Sequence, residues 1–224
     1  MNNLTGLAVS YVFVAGVIAA ASLAKQHLHL SARVTRKLIH IGVSHWWLIL
    51  MAFFDSLLFA VIGPVSFIII NGLSLKFSLV PAMDAEQPSD QLGTIYFPVS
   101  LLVLVICSFL GFIPIYAGAF GVLAMGYGDG LASLLGERWG RRKLLGGKKT
   151  VVGTVTMAAA SAAVALAVTA EFHPGGRELS LLLVLVPAAA GTAAALELLT
   201  PRGLDNITVP VASAGVYALL LQVL

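Results

Sequence analysis

The chain has 224 residues, of which 59% are hydrophobic and 10% are charged, and it carries a formal net charge of +3. Soluble domains contain about 25% charged residues, so this composition excludes a water-soluble fold and predicts an integral membrane protein. The single cysteine, Cys107, excludes a disulfide framework or a thiolate metal site built from one chain.

The apolar runs predict an all-α polytopic bundle of about eight transmembrane helices, with seven as the alternative. A helix needs about 20 residues to cross the hydrocarbon. The predicted spans are 4–23, 38–54, 56–75, 95–112, 113–135, 151–170, 179–199 and 207–224. The second span is short, and we expect Gly126, Gly128 and Gly130 to interrupt the fifth. No repeat or low-complexity linker divides the chain, so residues 1–224 are predicted to form a single integral-membrane domain.

The positive charges are distributed unevenly among the predicted loops. Twelve of the thirteen Lys and Arg residues fall in loops on one side, namely 24–37, 76–94, 136–150 and 200–206, and only Arg177 lies opposite. The positive-inside rule makes the first side cytoplasmic. The sequence therefore predicts a multi-pass protein of a bacterial-type cytoplasmic membrane, with both termini outside.

The inner end of the fifth span contains an unusual polar group. Asp129 lies there between Gly128 and Gly130. Ionisable side chains at membrane depth are costly and are usually functional. Because glycine lets a ligand approach the backbone closely, the triplet predicts a binding site at the cytoplasmic membrane surface. The alternative is that these glycines serve helix packing alone.

A basic loop follows the triplet and leads into the sixth span. Lys143, Lys148 and Lys149 precede Thr150, and a helix N-terminus with adjacent lysines favours phosphate. Together with Asp129, the loop predicts a nucleotide polyphosphate site with Mg²⁺ held between carboxylate and phosphate oxygens. Basic cytoplasmic loops also occur simply to fix topology, and that interpretation stays open.

A second polar face enters the membrane with the second span. Arg33, Lys37, His40 and Ser44 recur at helical spacing and share one side of a helix. This face could reach a phosphate or an alcohol at the inner surface. Equally, the basic residues could anchor to lipid head groups, with His40 as an interfacial histidine.

Three further polar residues surround the junction of the seventh and eighth spans. Glu197 lies nearly one turn inside an apolar run, which suits a metal ligand, a partner for a lysine or a general base. Asp205 and Asn206 stand where a helix cap belongs, and capping is their alternative role.

Asn71, within the third span, is expected to hydrogen-bond another helix.

Several short elements between residues 36 and 210 form a recognisable signature. They are Gly128-Asp129-Gly130-Leu-Ala132, then Gly136, Gly140, Lys143, Lys148, Lys149 and Gly153-Thr154, together with Arg36-Lys37-Leu-Ile-His40, Gly93-Thr-Ile-Tyr96-Phe-Pro98 and Leu204-Asp205-Asn206-Ile-Thr208-Val-Pro210. This pattern resembles the polyprenol kinase family, which includes dolichol kinase, phytol kinase and the CTP-dependent diacylglycerol kinase. The last element, with Glu197 before it, is most similar to the phytol kinase branch.

The resemblance implies a CTP-dependent kinase that transfers the γ-phosphoryl group to an isoprenoid alcohol such as phytol, geranylgeraniol or another polyprenol. The implied partners are a nucleoside triphosphate, a long-chain lipid alcohol, membrane lipids and Mg²⁺, with no nucleic acid. The predicted catalytic residues are Asp129, His40 and Glu197, and the predicted metal ligands are Asp129 and Asp205. The predicted nucleotide or phosphate ligands are Lys37, Gly128, Gly130, Lys143, Lys148, Lys149, Thr150 and Asn206.

Two other functions fit parts of this pattern. The glycine and lysine block also distantly resembles phosphatidate cytidylyltransferases, so transfer of a cytidylyl group to a lipid phosphate is the main alternative. A transporter of an anionic solute is a weaker alternative, because the polar residues gather at one face instead of following a path across the bilayer. The sequence does not distinguish CTP from UTP or ATP, nor one alcohol from another.

Overall fold

A computed structural model of the chain describes residues 2–77, 88–144, 147, 149–172, 181–201 and 203–224. Within these residues all regular elements are helical, apart from an isolated antiparallel bridge between Lys143 and Thr150. The helices are α1 (Asn3–Leu28), α2 (Ala32–Ser44), α3 (Trp46–Phe53), α4 (Leu57–Ala60), α5 (Ile62–Phe77), α6 (Pro88–Phe109), α7 (Ile115–Trp139), α8 (Val151–Phe172), α9 (Val186–Leu199) and α10 (Asp205–Val223), with a π-helical turn at Leu181–Leu185 before α9. The predicted all-α class is confirmed.

Six of the described helical segments are long and apolar enough to cross a membrane, judged by length and composition. They are Asn3–Leu28, Leu57–Phe77, Leu92–Phe109, Ile115–Trp139, Val151–Phe172 and Asp205–Val223. A further apolar helix, Leu183–Leu199, is shorter. The chain is therefore a multi-pass membrane protein.

The predicted second span, 38–54, is two helices that meet at His45. The carbonyl of Ile41 would normally accept the backbone N–H of His45, but it accepts the Ser44 hydroxyl at 2.7 Å and lies 3.0 Å from His45 Nδ1. The backbone N–H of His45 instead donates to Gly42 O at 3.2 Å. Side-chain groups that compete for a helix carbonyl weaken the regular ladder, which explains why the expected continuous span is wrong.

Helix α7 is continuous from Ile115 to Trp139, so the expected interruption by glycines is wrong. Gly121 and Gly128 of this helix lie at close helix contacts. A Cβ atom at Gly121 would overlap the carbonyl oxygen of Pro210 in α10, and one at Gly128 would overlap the sulfur of Met157 in α8. Small residues permit such approach between membrane helices while the backbone hydrogen bonds remain intact.

The chain divides into two compact units. Unit 1 comprises Met1–Phe112 with Pro201–Ile207, and unit 2 comprises Ile113–Thr200 with Thr208–Leu224. In unit 2 we define the apolar core as Ala117, Phe120, Ala124, Ala165, Val168, Leu185, Val186, Ala189, Tyr217 and Ala218. The rings of Phe120 and Tyr217 stack there with centroids 4.8 Å apart, and the Tyr217 hydroxyl lies 2.7 Å from Thr169 Oγ1.

Unit 1 contains a helix irregularity that a buried amide compensates. Pro98 lies inside α6 and has no backbone N–H, so the carbonyl of Thr94 loses its usual intrahelical donor. Asn71 Nδ2 in α5 donates to that carbonyl at 2.7 Å. The prediction that Asn71 hydrogen-bonds another helix is confirmed, and the bond ties α5 to α6 at the proline.

Candidate functional site

Two predicted site residues approach each other within unit 2. Asp129 in α7 and Glu197 in the last turn of α9 are both buried. A carboxylate oxygen of Asp129 lies within 4.8 Å of one of Glu197. Two buried carboxylates at this separation repel each other when both are ionised, so a nearby cation stabilises the ionised pair.

Lys149 supplies a positive charge to this pair. Its ammonium forms an ion pair with Glu197 Oε1, and the side chain of Glu197 is 5% exposed while that of Lys149 is 34% exposed. The sequence allowed a lysine partner for Glu197 as one of three roles, and this ion pair confirms it. We call Asp129, Lys149 and Glu197 the charged cluster.

A short antiparallel turn fixes the backbone of Lys149. The N–H of Leu144 donates to Lys149 O at 2.9 Å, and the N–H of Val151 donates to Arg142 O at 3.0 Å. These two bonds bracket the bridge between Lys143 and Thr150. The described residues of the basic loop therefore include a hydrogen-bonded turn beside the start of α8.

Thr150 closes this turn as the N-cap of α8. Its hydroxyl accepts the backbone N–H of Gly153 at 3.1 Å, which satisfies one of the free donors at the helix start. A Cβ atom at Gly136 would lie 2.9 Å from the same hydroxyl, so α7 passes close to the cap. The observed contact of Thr150 is structural, and its predicted role as a phosphate ligand stays a prediction.

The other predicted site residues of unit 2 that the structure describes lie in α7 and on the turn before α8. Gly128 and Gly130 are buried within the continuous α7, where Gly128 packs on Met157, and a nucleotide-binding role for them stays a prediction. The side chain of Lys143 is exposed on the turn. Lys148 lies outside the described residues.

The other predicted residues belong to unit 1, where α6 organises two of them. The ring of His40 in α2 packs on the ring of Phe97, with centroids 4.3 Å apart. A Cβ atom at Gly93, one helical turn earlier, would lie 3.0 Å from Asn206 Nδ2. Because Gly93 and Phe97 share one face of α6, His40 and Asn206 lie along the same face.

Asp205 and Asn206 lie at the start of α10, where their side chains make local contacts. Asp205 is buried, and its Oδ1 accepts the backbone N–H of Asn206 at 3.1 Å and the side-chain amide at 3.2 Å. The amide also donates to Gly203 O at 3.0 Å. These contacts join adjacent residues or reach back to Gly203, whereas an N-cap side chain accepts an N–H two or three residues on. Capping and metal binding by Asp205 both stay predictions. Lys37, half-buried in α2, likewise remains a predicted phosphate ligand.

The donor set of the charged cluster fits Mg²⁺. This ion prefers carboxylate, phosphate and water oxygens, and Asp129 and Glu197 offer two buried carboxylates within 4.8 Å of each other. Lys149 adds a cation that can bind phosphate oxygens. The cluster therefore combines the two kinds of group that a metal-bound polyphosphate needs.

Sequence reasoning missed the partner of Gly128 in α8. Met157 and Ser161 face Gly128, and a Cβ atom there would lie 3.2 Å from Ser161 Oγ. With Gly153, they recur at a spacing of four residues and form one face of α8. That spacing was visible in the sequence and would have predicted the surface of α8 that packs on α7.

Comparison with known proteins identifies the family of this chain. The chain is 33% identical over 222 residues to a phytol kinase of Synechocystis sp., and the match covers 93% of this chain and 88% of that protein. No family model matches the chain, and no solved structure matches it. Identity at this level over nearly the whole of both proteins establishes common descent, and it agrees with the signature that runs from residue 36 to residue 210. The chain belongs to the phytol/polyprenol kinase family.

Proposed function

We propose that the protein is a CTP-dependent lipid-alcohol kinase that phosphorylates an isoprenoid alcohol at the cytoplasmic membrane face. Membership of the family supports a kinase with an alcohol acceptor, because the relative in Synechocystis sp. is a phytol kinase. The observation within the chain that carries the proposal is the charged cluster, in which two buried carboxylates and a lysine meet at the base of a basic turn.

The cluster residues would divide the work of phosphoryl transfer between them. Asp129 and Glu197 would hold Mg²⁺, which supplies neutralisation of the negative charge on the phosphates. Lys149 would bind phosphate oxygens, and the exposed Lys143 would add positive charge at the entrance. Phosphoryl transfer requires mainly positioning and electrostatic stabilisation, which these groups can provide.

The acceptor alcohol needs a group that orients its hydroxyl and receives its proton. His40, packed on Phe97, and Glu197 are the predicted candidates. Asp205 and Asn206 are proposed, from the sequence signature, to complete the metal or nucleotide shell. The signature has elements in both units, and we propose that residues 1–224 act as one kinase domain.

The inner membrane surface suits both substrates. A nucleoside triphosphate carries several negative charges and cannot enter hydrocarbon, whereas a long-chain alcohol scarcely leaves it. The basic turn that precedes α8 and the buried carboxylates below it lie at such a boundary if the basic side faces the cytoplasm. The excess of Lys and Arg on one side supports that orientation, with both termini outside.

The proposal is tested by product analysis with the purified full chain in detergent. Labelled CTP, UTP and ATP are each incubated with phytol, geranylgeraniol, undecaprenol or diacylglycerol, with and without Mg²⁺. We expect nucleoside diphosphate and a phosphorylated isoprenoid alcohol, with CTP as the preferred donor. Pyrophosphate and a CDP-lipid would instead identify a cytidylyltransferase, and the absence of transfer from any nucleotide would overturn the proposal.

A further inference from the structure

The ion pair between Lys149 and Glu197 joins two residues that would have different ligands during phosphoryl transfer. Lys149 is needed by phosphate oxygens, and Glu197 is needed by the metal or by the acceptor hydroxyl. In the structure the ammonium of Lys149 and the carboxylate of Glu197 bind each other. The ammonium has three donors, but Glu197 neutralises its charge, so a triphosphate gains the full charge of Lys149 only when the lysine leaves Glu197.

We propose that Lys149 and Glu197 exchange partners when a polyphosphate binds. Lys149 moves from the carboxylate to phosphate oxygens, and Glu197 becomes available to the metal or the acceptor only after that exchange. Lys149 is thus a positioning residue that keeps Glu197 neutralised until a polyanion arrives. This inference rests on the proposed function, since it takes a polyphosphate as the ligand that drives the exchange.

The burial of the two side chains indicates which of them moves. The side chain of Glu197 is 5% exposed and lies in the last turn of α9, whereas that of Lys149 is 34% exposed and precedes α8. The carbonyl of Lys149 and the N–H of Val151 are hydrogen-bonded across the turn, so the lysine side chain can rotate while these bonds remain. The long, flexible lysine stem makes such a rotation inexpensive compared with movement of α9.

The charges of the cluster explain why the exchange needs a polyanion. In the ion pair one lysine charge balances one carboxylate, and Asp129 lies within 4.8 Å of that carboxylate. A triphosphate offers several charges and many acceptor oxygens to the lysine, and its metal offers a replacement cation to the carboxylates. A singly charged anion offers neither, so it would leave the ion pair intact.

The test measures binding of inorganic tripolyphosphate in the presence of EDTA, by calorimetry on the full chain in detergent. Glu197→Gln removes the competitor for Lys149, so binding should tighten on the order of tenfold, the effect of about 1.4 kcal/mol. The same change in a Lys149→Met background should produce clearly less tightening, because the exchanging lysine is absent and only the removal of one negative charge remains. Lys149→Arg keeps the charge, and there the tightening by Glu197→Gln should return.

A substitution at a second acidic residue, Asp129, distinguishes the effect of removing a charge from the effect of partner exchange. Asp129→Asn deletes an equal charge close to Glu197 without deleting the ion pair, so its effect on tripolyphosphate binding should be the same in the wild-type and Lys149→Met backgrounds. Glu137→Gln and Arg138→Gln change exposed charges in the last turn of α7 and serve as matched controls with little expected effect. Size-exclusion elution and helical content verify that each variant is folded.

The outcomes separate this inference from the proposed function. Equal tightening by Glu197→Gln in the wild-type and Lys149→Met backgrounds would overturn partner exchange while leaving a polyphosphate site. Lys149-dependent tightening in a protein that transfers no phosphoryl group would support the exchange and overturn the kinase proposal. Failure of the folded wild-type chain and every folded variant to bind tripolyphosphate would overturn both.

Discussion

Helix α7 joins two regions of unit 2 that are stabilised by different interactions. Its first half contributes Ala117, Phe120 and Ala124 to the apolar core, where Phe120 stacks on Tyr217. Its second half contributes Asp129 to the charged cluster and packs through Gly128 on Met157. The first half of α7 therefore packs in the apolar core, and its second half contributes a buried charge.

The difference shows where stability and activity are expected to reside. Burying apolar side chains stabilises a helix bundle, whereas a buried ion pair loses hydration and is often no more stable than an apolar replacement. A chain that keeps buried charges in such a position retains them for chemistry or specificity. Substitution of Asp129, one of two neighbouring buried carboxylates, should thus alter activity more than stability, and substitutions in the apolar core should do the reverse.

The largest expected effect on activity is that of Asp129→Asn. Loss of a metal-binding carboxylate should lower the rate of phosphoryl transfer by about 10²-fold or more, the scale of a positioned catalytic group. The substitution should leave the thermal midpoint in detergent nearly unchanged, because it removes a charge that is costly to bury. The exposed Glu137→Gln is the matched control, and near-normal turnover of the Asp129 variant would contradict the assignment.

The largest expected effect on stability within α7 is that of Gly121→Ala. The new methyl group would meet the carbonyl of Pro210 and lie 2.9 Å from Ala214 Cβ, so α10 must shift. Overpacking of this kind costs about 1–3 kcal/mol. At Gly215 no described heavy atom lies within 4 Å of the added methyl, and Gly215→Ala should stabilise by about 0.5–1 kcal/mol through helix propensity. Thermal unfolding in detergent compares the two variants, and equal midpoints would contradict the packing.

A smaller effect is expected from Tyr217→Phe in the apolar core. The change keeps the ring that stacks on Phe120 and removes the hydroxyl that lies 2.7 Å from Thr169 Oγ1. Loss of one buried hydrogen bond should lower the free energy of unfolding by about 1 kcal/mol. Phosphoryl transfer below the unfolding temperature should be unchanged. A large loss of activity in the folded variant would show that the two regions are not separable in this way.

The smallest effect is expected outside both regions, at Asp55. Asn3 Nδ2 donates to Asp55 Oδ1 at 2.7 Å, and this hydrogen bond lowers the pKa of Asp55 below its ordinary value. The associated stabilisation is present above the unfolded pKa of about 3.9 and is lost as the pH falls through the lower folded pKa. Thermal midpoints measured from pH 7 to pH 3 should show this pH-dependent stabilisation in the wild-type chain and lack it in Asn3→Ala. An unchanged pH profile would contradict the assignment.

Some of the fold was predictable because its cause is local. The composition and the length of the apolar runs identified a helical membrane protein, and the buried position of Glu197 predicted that a lysine could pair with it. The break at His45 was not predicted, since it arises where the Ser44 and His45 side chains contact the carbonyl of Ile41. The continuity of α7 was not predicted either, because glycine has a low helix propensity and its packing partner Met157 is distant in the chain.

The candidate site was predictable in its residue types and less so in its pairings. The sequence predicted that Asp129 and the lysines form one site, but it did not specify which lysine meets Glu197. Which lysine meets Glu197 depends on how α8 and α9 pack, since Lys149 and Glu197 are 48 residues apart. Likewise, Asn71 was expected to hydrogen-bond another helix, but its acceptor is a carbonyl of α6 that lacks its usual intrahelical donor because of Pro98.

The sequence by itself determined the membrane class, the family signature and the kinds of charged group available, because these depend on composition and on short-range spacing. Only the tertiary structure decided that Lys149 neutralises Glu197 and that Gly121 and Gly128 are contact points between helices. The physical reason is that ion pairs and close helix contacts join residues far apart in the chain. Their partners are selected when the helices pack, and local sequence preferences do not specify that packing.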